Sequence, residues 1–106
     1  MNRTGMPTPL TGVVIEEQIE LSVGDLSAAC RVQVGRIVAL VEEGVVEPVF
    51  GAPDAPEDWR FAGEALARLR RALRLQRDFD LDPAATALVL GLFEQIDALK
   101  AALRER

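Results

Sequence analysis

Histidine and tyrosine are absent from this 106-residue chain, and cysteine and tryptophan occur once each, at Cys30 and Trp59. Without histidine the side chain that most often moves protons near neutral pH is missing. There is also no Gly-rich phosphate loop and no metal-ligand spacing, so a nucleophile–base pair or a transition-metal site is hard to assemble. The chain is therefore expected to be no enzyme and to need neither cofactor nor metal. A lone cysteine excludes an intramolecular disulfide, and residues 1–12 hold no continuous apolar stretch long enough for a signal-peptide core or a membrane span. The expectation is a cytoplasmic protein with no membrane partner.

Basic side chains are also scarce in one half. Residues 1–58 hold three basic and ten acidic side chains, a balance of −7, whereas residues 59–106 hold nine and seven, a balance of +2, for a net charge of −5. Nucleic-acid binding draws most of its affinity from Lys and Arg contacts to phosphate, so the acidic half opposes it. With 49% hydrophobic and 27% charged residues the composition is that of a folded protein, and the length suits one domain. Residues 1–12, rich in proline, glycine and threonine, read as a flexible tail, and residues 13–106 as a single helical domain.

Along that domain, Ile19, Leu21 and Val23 alternate with polar neighbours, the signal of a short strand. Ser22 and Asp25 have capping-box spacing and start a short helix with Leu26 and Ala29 inward. A turn at 30–33 leads to a second helix whose Val34, Ile37, Val38 and Val41 form the buried face, ended by Gly44, so that 22–44 reads as a helix-turn-helix. Residues 45–61 combine β-prone valines, an acidic proline-rich loop at Gly51–Asp58 and Trp59-Arg60-Phe61, which predicts a hairpin or wing. From 62 to 106 two helices should form an antiparallel hairpin. The first, 62–78, carries the stripe Ala62, Ala65, Leu66, Leu69, Ala72, Leu73, a Glu64–Arg68 pair one turn apart, and a basic flank of Arg70, Arg74 and Arg77. Asp82-Pro83 starts the second. The fold class is thus mainly α, a winged helix-turn-helix followed by a C-terminal helical hairpin, with minor short strands.

In the last helix Ala85, Val89, Leu92, Ile96, Leu99 and Leu103 are spaced by 4, 3, 4, 3 and 4, a coiled-coil repeat. The seam either packs on the preceding helix or pairs two copies of the chain, and the additional apolar Leu88, Leu90 and Phe93 favour a homodimer. The D-x-D-x-D spacing of Asp78, Asp80 and Asp82 suggests calcium, but the glycine and final glutamate of an EF-hand loop are missing, and an inter-helix turn with a cap is the better account. The five arginines in 68–77 read as a solvated face, as a phosphate-contacting surface, or as groups that meet an acidic partner or pair with the chain's own carboxylates. On the second helix, the positions outside the expected core are Gln33, Arg36, Leu40 and Glu43, too few donors for base readout.

The run "VGDLSAACRVQVGRIVALVEEGVVEP" from Val23 to Pro48 is similar to the helix-turn-helix of MerR-type regulators. Trp59-Arg60-Phe61 and "RALRLQRDFDLDPAATALVLGLFEQIDALKAAL" from Arg71 to Leu103 closely resemble the chaperone modulator CbpM family. That resemblance covers about residues 19–104 and implies binding to the J-domain of a CbpA/DnaJ-type co-chaperone, with inhibition of its stimulation of Hsp70 (DnaK). A J-domain offers a basic helix, so an acidic competitor fits physically. The residues at 1–12 and the long acidic loop depart from the family pattern, and no motif marks the contacts. Charge nominates Glu42, Glu43, Glu47, Asp78, Asp80 and Asp82, with Arg36 and Leu40 as secondary contacts and Val89, Leu92, Ile96, Leu99 and Leu103 as the dimer seam. The runner-up is a dimeric MerR-type DNA-binding transcriptional regulator.

Overall fold

The chain changes from strand to helix at Ser22. The structure, a computed structural model, describes residues 13–15 and 18–105, so the expected tail at 1–12 lies outside the described residues. Ser22 has extended φ and ψ of −84° and 168°, its Oγ accepts from the Asp25 amide at 3.0 Å, and its own amide donates to Asp25 Oδ2 at 2.9 Å. This reciprocal capping box satisfies two backbone donors and fixes the start of α1, Val23–Cys30. Arg31 ends α1 in the left-handed region (φ 61°), and the amides of Arg31 and Val32 both return to the Ser27 carbonyl. That sharp reversal sends the chain into α2, Val34–Glu42, which stops before Gly44 at φ 84°.

Ahead of the helices, β1 (Val13–Ile15) and β2 (Gln18–Leu21) pair antiparallel, and β3 (Phe61–Ala62) joins the other edge of β2 to give the order β1-β2-β3. The expected strand is β2, although Val23 belongs to α1; β1 was not anticipated. The expected hairpin over 45–61 is largely absent. Its arms meet only at a bridge between Phe50 and Arg60, with the Val49 amide donating to the Arg60 carbonyl at 2.7 Å and the Arg60 amide to the Phe50 carbonyl at 3.1 Å. The reason is that Val45 and Val46 are buried in the core, with the Val45 amide bonded to the Leu40 carbonyl, so the first arm cannot lie extended. The second arm pairs with β2 instead.

Trp59 closes the intervening loop. Its indole Nε1 donates to the Ala52 carbonyl at 2.7 Å, and its ring meets Phe61 edge-on at 6.1 Å. Gly51, at φ 119°, lies so close beneath it that a Cβ there would be 2.7 Å from Trp59 Cδ1 and 2.9 Å from Trp59 Cα. Only glycine fits on both counts.

The hairpin helices are α3, Ala65–Phe79, and α4, Pro83–Arg104. α3 starts three residues later than the spacing suggests because Ala62 is used by β3. Asp80 ends it in the left-handed region (φ 54°), and Asp82 caps α4 by accepting from the Ala85 amide at 2.7 Å, with Pro83 at the first helical position. The fold is therefore mainly α, a helix-turn-helix followed by an antiparallel helical hairpin, with short strands.

The core unites Leu21, Leu26, Ile37, Leu40, Val45, Phe61, Leu69 and Leu90, each at most 1% exposed. On α2 the buried pair is Ile37 and Leu40, while Val34 is exposed and Val38 and Val41 are half-buried. The buried face is thus rotated from the one predicted, because α2 must meet α1 on one side and α4 on the other. Arg68 does not pair with Glu64: it crosses to Glu94 on α4, with Nη2–Oε1 at 2.7 Å and Nε–Oε2 at 2.9 Å, and also donates to the Val45 carbonyl.

Candidate functional site

The nominated carboxylates form two groups. Glu42 ends α2, Glu43 follows as its C-cap and Glu47 lies in the next segment, all exposed. Asp78, Asp80 and Asp82, also exposed, surround the α3–α4 link. Each of these aspartates has a local duty: Asp78 Oδ1 accepts from Arg77 Nε at 3.3 Å, Asp80 makes the left-handed turn and Asp82 caps α4. Their D-x-D-x-D spacing ends one helix and begins the next.

The structure brings Arg36 and Asp80 onto one open depression of about 490 Å³ between α2 and the α3–α4 link, floored by Ala39 and Leu81. Glu42, Glu43 and Glu47 do not line it. Glu42 and Glu43 lie at the opposite end of α2, about 9 Å further along the helix axis than Arg36, and Glu47 follows beyond Gly44. Leu40 requires a correction: at 0% exposure it is a core residue, and no partner reaches it without opening the fold.

The α4 seam faces outward. Only Thr86 and Leu90 are buried on this 22-residue helix, Val89 is half-buried against the core, and Leu92, Ile96, Leu99 and Leu103 are exposed, Leu99 by 66%. Packing on α3 within one chain therefore does not cover the distal seam, Leu92 to Leu103. Beyond Leu90, α4 is held to α3 at its polar edge, by Arg68–Glu94 and by Arg71–Asp97 at 3.1 Å. The Arg68 hydrogen bond holds the Glu94 carboxyl below its usual range, against the opposing pull of partial burial. Leu88 and Phe93 extend the exposed apolar surface beside the seam.

A second open cavity, of about 480 Å³, lies where α3 passes the α1–α2 turn, and the basic flank Arg70, Arg74 and Arg77 lines it together with Arg31, Arg36 and Cys30. Arg31 was not singled out from the sequence. Its placement follows from a left-handed backbone that no local pattern announces. Burial pushes the Cys30 thiol up from its ordinary value, and the charge of Arg70 works against that shift.

Comparison with known proteins fits this architecture. The family described as "MerR HTH family regulatory protein" matches residues 21–105, from the end of β2 to the end of α4. The chaperone modulatory protein CbpM of Pseudomonas entomophila (strain L48) is 30% identical over 82 residues, covering 77% of this chain and 78% of the relative. The chain belongs to the CbpM family of MerR-type helix-turn-helix proteins. CbpM of Pseudomonas putida (strain GB-1) is 31% identical over 82 residues, with the same coverage. CbpM of Coxiella burnetii (strain Dugway 5J108-111) is 28% identical over 95 residues, covering 90% of this chain and 87% of its own. The CbpM resemblance of the Trp59–Phe61 and Arg71–Leu103 segments thus extends over most of the chain. Among the described residues no helix is long and apolar enough to cross a membrane.

Proposed function

We propose that this protein is a non-enzymatic chaperone modulator of the cytoplasm, which binds the J-domain of a CbpA/DnaJ-type co-chaperone and inhibits its stimulation of Hsp70 (DnaK) by competing for the J-domain surface. The observation that carries this reading is the charge at the exposed end of α2. A helix that reads DNA needs donors along its exposed face, but after Gln33 and Arg36 at its start this one turns acidic, ending in Glu42 and Glu43, with Glu47 just beyond. The same carboxylates suit a basic J-domain helix, where charge sets the encounter rate and specificity and apolar contacts set residence time. The names of the CbpM relatives support a role in chaperone modulation.

Calorimetric titration against the J-domain protein of the same organism tests the reading. Binding is expected at low salt and should weaken as salt screens the carboxylates. Reversing Glu42, Glu43 and Glu47 to lysine should slow association by about tenfold or more. Absence of binding at low salt would overturn it.

The exposed α4 stripe supports a homodimer, with Val89, Leu92, Ile96, Leu99 and Leu103 of one chain packing against a second copy. The alternative function, a MerR-type DNA-binding transcriptional regulator, draws on the helix-turn-helix match and on Arg36 at the exposed start of α2. A gel shift with the upstream region of its own gene separates the two.

A further inference from the structure

Five guanidinium groups from three segments surround the cavity between the α1–α2 turn and α3: Arg31 in the turn, Arg36 on α2, and Arg70, Arg74 and Arg77 on α3. Among the described residues no carboxylate lines it. Arg36 donates to the neutral Gln76 Oε1 at 3.1 Å, and Arg77 reaches the exposed Asp78 at 3.3 Å. Among the described residues, the guanidinium groups of Arg31, Arg70 and Arg74 have no hydrogen-bonding or ion-pair partner. A chain of net charge −5 therefore gathers five positive charges around one concavity, at a cost in mutual repulsion that an anion would relieve.

We propose that this cavity binds a short linear phosphate chain, supplied either as inorganic polyphosphate or as the triphosphate of a nucleotide. Charge density selects phosphate over an acidic peptide. From Arg70 to Arg77 the row rises about 10 Å along the helix. An extended peptide presents alternate side chains to one face, about 7 Å apart, so it would place only about two carboxylates along that row. A phosphate group carries up to about two charges and offers the paired oxygens that a guanidinium fork grips bidentately.

No aromatic ring lines the cavity, so nothing there stacks on a base and the phosphates supply the affinity. Duplex DNA fits less well. Val34 at the start of α2 shares a cleft with Glu57 of the acidic loop, so a duplex laid along α2 would meet that carboxylate.

The test is calorimetric titration of the full chain, in magnesium-free buffer, with inorganic triphosphate, ATP, a short DNA duplex and a poly-glutamate peptide. Triphosphate and ATP should bind with affinities within about threefold of each other, and binding should weaken severalfold between about 50 and 200 mM salt. The double variant Arg70→Gln, Arg74→Gln should lose about tenfold or more in affinity, each guanidinium pair being worth at least a charge-assisted hydrogen bond. Its unliganded melting temperature should be unchanged or raised.

Cys30 supplies a second readout that needs no substitution: it is the chain's one cysteine and it borders the cavity, so triphosphate should slow its reaction with a thiol reagent. Four results would each overturn the proposal. They are no triphosphate binding at low salt, binding that leaves Cys30 unprotected, ATP binding without triphosphate binding, and tighter binding of the duplex or the peptide than of triphosphate.

Discussion

Arg68 on α3 holds Glu94 on α4 in a two-pronged ion pair, 2.7 and 2.9 Å, while its remaining terminal nitrogen donates to the Val45 carbonyl at the end of the helix-turn-helix. One side chain thus joins three segments. The two partners should differ sharply on substitution. Glu94→Gln breaks a half-exposed pair and should cost about 1 kcal/mol or less. Arg68→Met also strands the Val45 carbonyl and should cost about 2 kcal/mol. Because Glu94 titrates below its unfolded value, its contribution is present above the usual carboxylate range and is lost as pH falls through the depressed value. Urea titrations at pH 7 should therefore separate wild type from Glu94→Gln, and titrations at successively lower pH should bring them together.

Gly51→Ala should destabilise by about 1–3 kcal/mol, since it adds a Cβ against Trp59 and forces a side chain into positive φ. Trp59 is the only tryptophan, so its fluorescence should shift toward the solvent-exposed range as the loop opens. An unchanged spectrum and melting temperature would contradict the packing described.

Leu40→Ala should cost about 2–5 kcal/mol, as expected for a fully buried leucine. Arg36→Ala, on the exposed side of the same helix, should stay within about 0.5 kcal/mol. Thermal melts of the two variants check the rotated face of α2.

If α4 pairs two chains, Leu92→Glu with Ile96→Glu should yield a monomer by sedimentation with the helical signal of the body retained. The same substitutions should leave the melting temperature of a chain that was already monomeric nearly unchanged, because neither side chain is buried within one copy.

Arg70→Gln should raise the Cys30 thiol further, because the charge that opposes its burial is removed. At a fixed pH below that value the thiolate fraction falls, and alkylation should slow in proportion. A pH profile of the alkylation rate, shifted to higher pH in the variant, is the expected result.

The caps were the most legible features of the sequence. Ser22 with Asp25, Gly44, and Asp82 with Pro83 each act through their own backbone neighbours, and all three stand where spacing put them. What depends on distant contacts was harder to see. Glu64 and Arg68 have ideal spacing for a pair within α3, yet Glu94 and the Val45 carbonyl together satisfy more of the guanidinium than Glu64 could. Val45 and Val46 have strand composition but are drawn into the core. Leu40 looked external because Val38 and Val41 offered an equally apolar face, and only the positions of α1 and α4 decide between them. For the surface, the acidic character of the α2 end was readable from composition, whereas the gathering of Arg31 and Arg36 with the α3 arginines depends on the left-handed turn at Arg31.

α4 is 22 residues long and α3 is 15, so the distal turns of α4 carry Leu99 and Leu103 with hydrogen-bonded backbone but little tertiary cover. Such a segment belongs to a different cooperative unit from the core around Leu90. In a lone chain its amides should exchange with solvent through local fraying, at a rate unrelated to global unfolding. Covering the stripe would merge the two units, so the exchange of these last turns reports occupancy of the helix face directly, before any change in melting temperature is seen.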